Sequence, residues 1–477
     1  MMSSGKVRPI LLLEINEVSW RLLDRFKDRF PNIKKFFAGA QTYTTTTVDS
    51  GELSPWITWP SFHRGLCDKE HGSGFLGQDP ATFKGTPIWA EYRKQGHAIG
   101  ICGSLQSWPP SEAGPGGFYI PDTFAHDATC IPAYVEPFQR FNLSQVATNG
   151  RTVNSSSMFS KEILPLIASL PKLGIRPATL AKVGQQLVEE RLDTVKLSRR
   201  PAFQTILMWD VFKNLFDANK PPAFSTFFTN HIAGVMHRYW NNLFPEDFGP
   251  SMKGQPTPYL NTMVFALNVL DDMLREVMAW CEQNPELVVV WAASMGQDTV
   301  HRDSDGLELA VNDSRKLMQI CGLEPVQFKP LLAMVPQIAV EFTDAAALAQ
   351  ARSRLQACTT TSGQPLFRIE GSNLNLSITC INPKRVDIEA GFFNCDGGRV
   401  TWEDAGVRVV QTTPGTAYHI PEGTMAVYRL GHEPNDARTR MSARDAKSFL
   451  LKLGGLSVAA AQTAVPEKVK RKRRARG

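Results

Sequence analysis

The 477-residue chain lacks paired cysteines: its eight, at 67, 102, 130, 281, 321, 358, 380 and 395, fall singly with no CxxC spacing. Small thiols in apolar or helical segments, such as Cys102 and Cys281, are expected to be buried, and none of the eight requires an oxidising compartment. No uninterrupted apolar stretch reaches the roughly 18 to 20 residues of a membrane span. The start, MMSSGKVRP, has neither an apolar signal core nor a small-residue cleavage site, so a cytoplasmic protein without a transmembrane segment is expected. Two catalytic signatures are missing as well. The turn GPGG at 114–117 has no strand-and-helix context for a dinucleotide fingerprint. SFHRG at 61–65 is not a GxSxG nucleophile elbow, and Ser61 has no acidic and basic partners evident in sequence.

Neither sign of charge is in excess until the very end. Seven basic residues lie between Lys468 and Arg476, and without them the formal net charge of +6 becomes −1. The residues 461–477 are therefore expected to form a disordered basic tail that serves solubility or contacts an acidic partner, nucleic acid or an anionic membrane surface.

What is present is an alternation of strand and helix. Ile10–Ile15 reads as a strand, followed by a turn and a helix with Leu22, Leu23, Phe26 and Phe30 at helical spacing. TYTTTTVDSG reads as a β-branched strand and ELSPWITWPSFHRGL as a Pro- and Trp-rich loop. A helix capped at Gly96 leads into a short buried strand over Ile99–Cys102. Prolines 165, 171 and 177 cut a helical insert at about 152–220. AFSTFFTNH at 223–231 resumes the sheet, and the helix Tyr259–Gln283 carries Val264, Leu267, Leu270, Met273, Leu274 and Val277 on one face. The strand at 287–293 ends in Ser294, Met295 and Gly296. With 43% hydrophobic residues, the pattern predicts an α/β fold, a central mostly parallel sheet between helical layers. The core is assigned to 1–329 and 414–460, with a small α+β insertion at 330–413 marked by PQIAVEF, AAALAQARSRLQA, PLFRIE and LNLSITCI.

Six segments in order carry a family likeness: the first strand and turn, PWITWPSFHRG, EHG at 70–72, TNHIAGVMHRYW, VVVWAASMG and HIPEG at 419–423. The chain resembles the alkaline phosphatase superfamily, in particular its type I phosphodiesterase and nucleotide pyrophosphatase branch. The resemblance implies two divalent cations at the carboxyl ends of sheet strands, polarising a phosphate while a hydroxyl attacks. By ungapped alignment the first-strand carboxylate falls on Asn16 and the nucleophile on Pro60, flanked by Thr58 and Ser61. The carboxylate four residues before His237 is Ala233, and the Asp-His pair is Ser294 and Met295. His237 and His419 alone match, so the metal site is degenerate and a two-metal site is not expected.

In the family the two histidines serve one metal, and a single zinc-like ion is conceivable with a third ligand from Glu17, Asp49, Glu52, His63 or His231. His231 and His237, six apart, do not share a helical face. The reading is a divergent hydrolase or transferase acting on a phosphate or sulfate ester of a nucleotide or sugar conjugate, with one metal or none. Thr58 or Ser61 would be the nucleophile, His237 and His419 the metal ligands or an acid and base, and Asn16, Glu17, Arg64, Ser294 and Met295 the ligand contacts. The alternatives are a pseudo-enzyme that binds an anionic small molecule, glycan-linked ester or partner, and a scaffold docked through the tail. Trp56, Trp59, Trp240 and Trp291 either stack on a ligand or fill the core.

Overall fold

The computed structural model describes residues 7–50, 53–76, 78–148, 163–250, 254, 256–299, 307–331, 333, 337–371, 373–381, 383–411 and 417–456. Glu52 and the basic tail lie outside them. In chain order the first strands are β1 (Ile10–Ile15), β2 (Ala40–Thr46), β3 (Ile99–Cys102), β4 (Phe118–Ile120), β5 (Phe224–Thr229), β6 (Val288–Ala292) and β7 (Gly296–Thr299). Then follow β8 (Leu307–Val311), β9 (Phe328–Leu331), β10 (Gln337–Phe342), β11 (Phe367–Glu370) and β12 (Asn375–Cys380). The last are β13 (Phe392–Cys395), β14 (Gly398–Thr401), β15 (Val407–Gln411), β16 (Ala417–Ile420), β17 (Glu422–Tyr428) and β18 (Asn435–Ser442).

Eight of these make the main sheet, in the order β18-β2-β17-β6-β1-β5-β3-β4. Every neighbouring pair is parallel except the two that β17 makes with β2 and β6. The central strand β1 is apolar at nearly every position because both of its faces are covered. Leu11, Leu13 and Ile15 pack with the helices Trp20–Phe26, Pro31–Ala38, Arg200–Leu215, His231–Leu243 and Leu260–Gln283. Ile10 and Leu12 face a second layer containing Pro55–Arg64, Ile88–Lys94 and Ala446–Leu453. The predicted helical layers and mostly parallel sheet are both present.

PWITWPSFHR, expected as a loop, is a helix over Pro55–Arg64. Pro55 starts it, where a missing N–H costs nothing. Pro60 lies inside, and its missing N–H leaves the Trp56 carbonyl without its helical donor. The Ser73 hydroxyl donates to that carbonyl at 2.9 Å, so a side chain well beyond the helix makes good the lost bond.

A separate hydrophobic cluster runs from Leu309 to Val407, around the fully antiparallel sheet β11-β12-β10-β9 and the helix Ala345–Gln356. Its elements begin at β8, upstream of residue 330, because β8 pairs with β15 and contributes Leu309 and Val311 to the same cluster. Leu307 lies opposite Gln411, so the segment leaves and rejoins the main sheet's chain through one two-stranded stem.

Candidate functional site

Three strand ends converge at the carboxyl edge of the parallel strands, where open α/β sheets place their ligands. Just past β1, Glu17 adopts a left-handed conformation with φ 62°, uncommon for a residue with a side chain. Past β5, the helix His231–Leu243 carries His237. Past β6, the chain turns into β7, whose Gln297 pairs with His419 on β16.

Glu17, His237 and His419 meet there. The Glu17 Oε2 lies 2.8 Å from His237 Nε2 and 3.2 Å from His419 Nε2, and the two Nε2 atoms are 3.1 Å apart. The other nitrogen of each ring faces a backbone carbonyl: His237 Nδ1 lies 3.2 Å from Ala417 O, and His419 Nδ1 lies 2.6 Å from Leu53 O. Carbonyls only accept, so each Nδ1 carries its hydrogen and each neutral ring directs an Nε2 lone pair inward. Two lone pairs and a carboxylate oxygen therefore point at one another, and only a cation between them, a proton or a metal ion, makes the arrangement stable. Ligands about 2.0–2.1 Å from a single ion sit roughly 3 Å apart, as these three atoms do.

The carboxylate is held from behind. Asn16 Nδ2 donates to Glu17 Oε1 at 2.7 Å and to Asn230 Oδ1 at 2.7 Å, while its Oδ1 accepts from Trp59 Nε1 at 2.8 Å. Gln297 Nε2 donates to Glu17 Oε2 and to Ala233 O, and the buried Gln297 Oε1 has no hydrogen-bond partner. Burial raises the Glu17 pKa, but when the two rings are protonated at Nε2 their positive charge and hydrogen bonds outweigh it and hold the carboxyl well below the usual carboxylate range, the same stabilisation that any cation between the three atoms would give. Glu17 is 2% exposed while His237 and His419 are 35% and 21% exposed, so the cluster opens to solvent on its imidazole side.

Of the third-ligand candidates among the described residues, Glu17 is the one joined to both histidines. His63 instead pairs with Glu14 at 2.7 Å inside the core. His231 is buried between Thr229 Oγ1 and Ala266 O, and burial pushes its pKa down to about 4. Asp49 accepts from Thr47, Ser61 and the Asp68 N–H, and burial is the main reason its pKa is raised.

The other expected contacts are dispersed. Thr58 Oγ1 is fully buried against Ser294 Oγ at 2.7 Å. Met295 is a core side chain with no exposure. Arg64 ends the helix Pro55–Arg64, donates to Gly85 O and lies over the Phe83 ring, and burial lowers its pKa to about 10. Trp59, Trp240 and Trp291 are fully buried, and Trp56 is 9% exposed, so all four fill the interior.

Ser61 does have an acid and a base beside it, which its sequence neighbourhood hid because one comes from the loop after β2 and the other from the end of the short helix Asp68–His71. Its Oγ lies 2.6 Å from Asp49 Oδ1 and 2.8 Å from His71 Nε2. The Ser73 N–H donates to His71 Nδ1 at 2.9 Å, so the ring hydrogen sits on Nε2 and points at Ser61. Ser61 then passes its own proton toward Asp49. Burial, with Arg64 adding to it, depresses His71 to about 4 and keeps this ring neutral. Sequence reasoning also missed Gln297, Asn230 and the carbonyls of Leu53 and Ala417, none of which carries a compositional signal.

No family model matches the chain, and no curated protein does. Solved structures do match it. Murine ectonucleotide pyrophosphatase/phosphodiesterase 5 is 10% identical, with 94% of this chain and 96% of that one covered at a TM-score of 0.42. The human protein of the same name is 10% identical with a TM-score of 0.44 over the same shares, 94% and 96%. Phosphonoacetate hydrolase from Sinorhizobium meliloti 1021 is 13% identical, with 95% and 100% covered and a TM-score of 0.41. At this level of likeness the site is read from its own atoms.

Proposed function

We propose that the chain binds one zinc-like divalent cation on Glu17, His237 and His419, and acts there as a hydrolase or transferase on a phosphate or sulfate ester, such as that of a nucleotide or sugar conjugate. The observation that carries this reading is the convergence of three lone-pair atoms within 3.2 Å, each backed by a second contact that fixes its direction. A divalent cation held there would supply Lewis-acid stabilisation of charge developing on an ester oxygen. Glu17 supplies a compensating negative charge, and Asn16 and Gln297 act as positioning residues that hold its two oxygens. Ala417 and Leu53 fix both imidazoles through their carbonyls. The cluster opens to solvent on its imidazole side, where an anionic ester would bring its own oxygen to a cation held by the three residues.

The test is elemental analysis of the full-length chain, with hydrolysis of aryl phosphate, phosphodiester and sulfate esters measured beside it. About one equivalent of metal is expected, lost in His237→Ala and His419→Ala, with weak ester hydrolysis that falls with the metal. A metal-free protein that takes up no zinc or manganese on titration would overturn the reading.

A specific observation favours a second reading, a pseudo-enzyme that binds an anion without turning it over. The hydroxyls proposed as nucleophiles are both enclosed, Thr58 against Ser294 and Ser61 among Asp49, His71 and the Ile57 carbonyl. Turnover therefore depends on a water or an acceptor brought with the substrate. One bound metal and measurable phosphate binding, with no hydrolysis of any ester class, would favour this second reading.

A further inference from the structure

The second hydrophobic cluster holds a pair of thiols that the site does not use. Thr359 and Asn394 exchange both backbone hydrogen bonds, each at 2.9 Å, as an antiparallel bridge. The next residues outward, Cys358 and Cys395, therefore stand directly opposite as a non-hydrogen-bonded pair, whose Cα atoms lie about 4.5 Å apart in such ladders. That separation falls within the range a disulfide spans. The side chains point the same way, since both Sγ atoms approach one acceptor, Arg354 O, at 3.3 and 3.7 Å.

The partner strand is set firmly. β13 turns into β14 through Asp396 and Gly397, with φ 49° and 75°, the left-handed pair that a tight two-residue hairpin requires. Arg354 at the end of the helix Ala345–Gln356 forms an ion pair with Asp396 in that turn, which ties the hairpin to the helix preceding Cys358.

We propose that Cys358 and Cys395 form a disulfide when the folded chain meets a low-molecular-weight disulfide such as oxidised glutathione. The pair is independent of the metal site. Cys395, 7% exposed against 1% for Cys358, meets the reagent first. Its thiolate attacks one reagent sulfur and expels the other as a thiolate, which takes up the proton that Cys395 gave up. The Cys358 sulfur then attacks Cys395 Sγ and displaces the second thiol, which carries away the Cys358 proton. Two protein thiols and one disulfide become one protein disulfide and two small thiols, so protons and electrons balance. Burial raises the Cys358 pKa, so the second step is slow and the closed bond, once made, is shielded from reductant.

The full-length chain is incubated with oxidised glutathione, quenched with a thiol-alkylating reagent, digested with trypsin without reduction and examined by mass spectrometry. Cys358 lies alone in the tryptic peptide Leu355–Arg368 and Cys395 alone in Val386–Arg399. The expected product is these two peptides joined, separated again by dithiothreitol, together with a rise of several degrees in melting temperature. The rise should vanish in Cys395→Ser while Cys321→Ser keeps it. Recovery of both peptides singly after prolonged oxidation, alkylated or as glutathione adducts, would overturn the pair. So would a bond from Cys321 to either one. Because the cross-link is read on the unaltered chain, a variant that fails to fold leaves the test intact.

Discussion

Thr58 and Ser294 share a dry contact in which one hydroxyl must donate and the other accept. Removing one partner leaves the other unsatisfied, at a cost of about 1–3 kcal/mol, whereas removing both costs far less. Thr58→Val and Ser294→Ala should each lower the urea midpoint, and the double variant should recover most of the loss. Strict additivity would mean that the two hydroxyls do not depend on each other. Two buried imidazoles set a second expectation. His71 and His231 are held neutral to about 4 against 6.5 for a free ring. Between those values the unfolded chain binds more protons, so their contribution is complete above pH 6.5 and is lost as pH falls toward 4, about 3 kcal/mol each. Asp122 works the other way. Burial raises it to about 6, so its penalty is felt above that pH and disappears as pH falls toward 3.8, returning about 3 kcal/mol. Stability measured by urea titration should therefore drop by roughly 3 kcal/mol between pH 7 and 4 from these three groups, and NMR should find both rings uncharged at pH 5. His237 and His419 were legible in the sequence through their motifs. Glu17 stood as one among five third-ligand candidates because what selects it is a positive φ and two amides from Asn16 and Gln297, neither of which has a pattern in the chain.

At the level of elements, the register between β7 and β16 aims His419. Gly296 faces Ile420 there, and a Cβ on Gly296 would lie 2.5 Å from the Glu422 carbonyl, 3.2 Å from Ser19 Cβ and 3.3 Å from Ile420 Cγ1. Backbone cannot yield as a flexible side chain does. Gly296→Ala is expected to cost about 1–3 kcal/mol and to weaken metal binding at least tenfold, by pushing β16 away from Glu17. Zinc titration of that variant with unchanged affinity would show that the strand pair tolerates the shift. The strands at 10–15, 99–102 and 288–292 were readable because burial on both faces leaves short apolar runs. β18 was not. It lies at the sheet edge with most of its residues exposed and pairs with β2 through its backbone, so Asn435–Ser442 reads as a charged loop. The helix Pro55–Arg64 was hidden for a different reason, since its internal proline is compensated by a serine from another loop.

For the molecule as a whole, the stem of β8 and β15 brings residues 307 and 411 side by side. We expect that replacing 308–410 with a short glycine-serine link leaves a folded remainder, since the excised segment takes its own hydrophobic cluster with it. Circular dichroism and a cooperative thermal transition would check this. Loss of both, with retention in a deletion variant cut outside the stem, would place the boundary elsewhere. β17 has a further consequence, one of timing. It lies between β2 and β6, in the middle of the sheet, yet it spans Glu422–Tyr428 near the end of the chain. During synthesis, β2 and β6 are made long before the strand that joins them, so a nascent chain leaving the ribosome has β6 open on one edge and β2 on both, since β18 also comes later. Such edges invite pairing with other chains, and chaperones are the usual guard against it. Translation that stops before residue 422 should therefore yield an aggregating product with an unassembled site, whereas β17 and β18 close the sheet and bring His419 to Glu17 in a single late step.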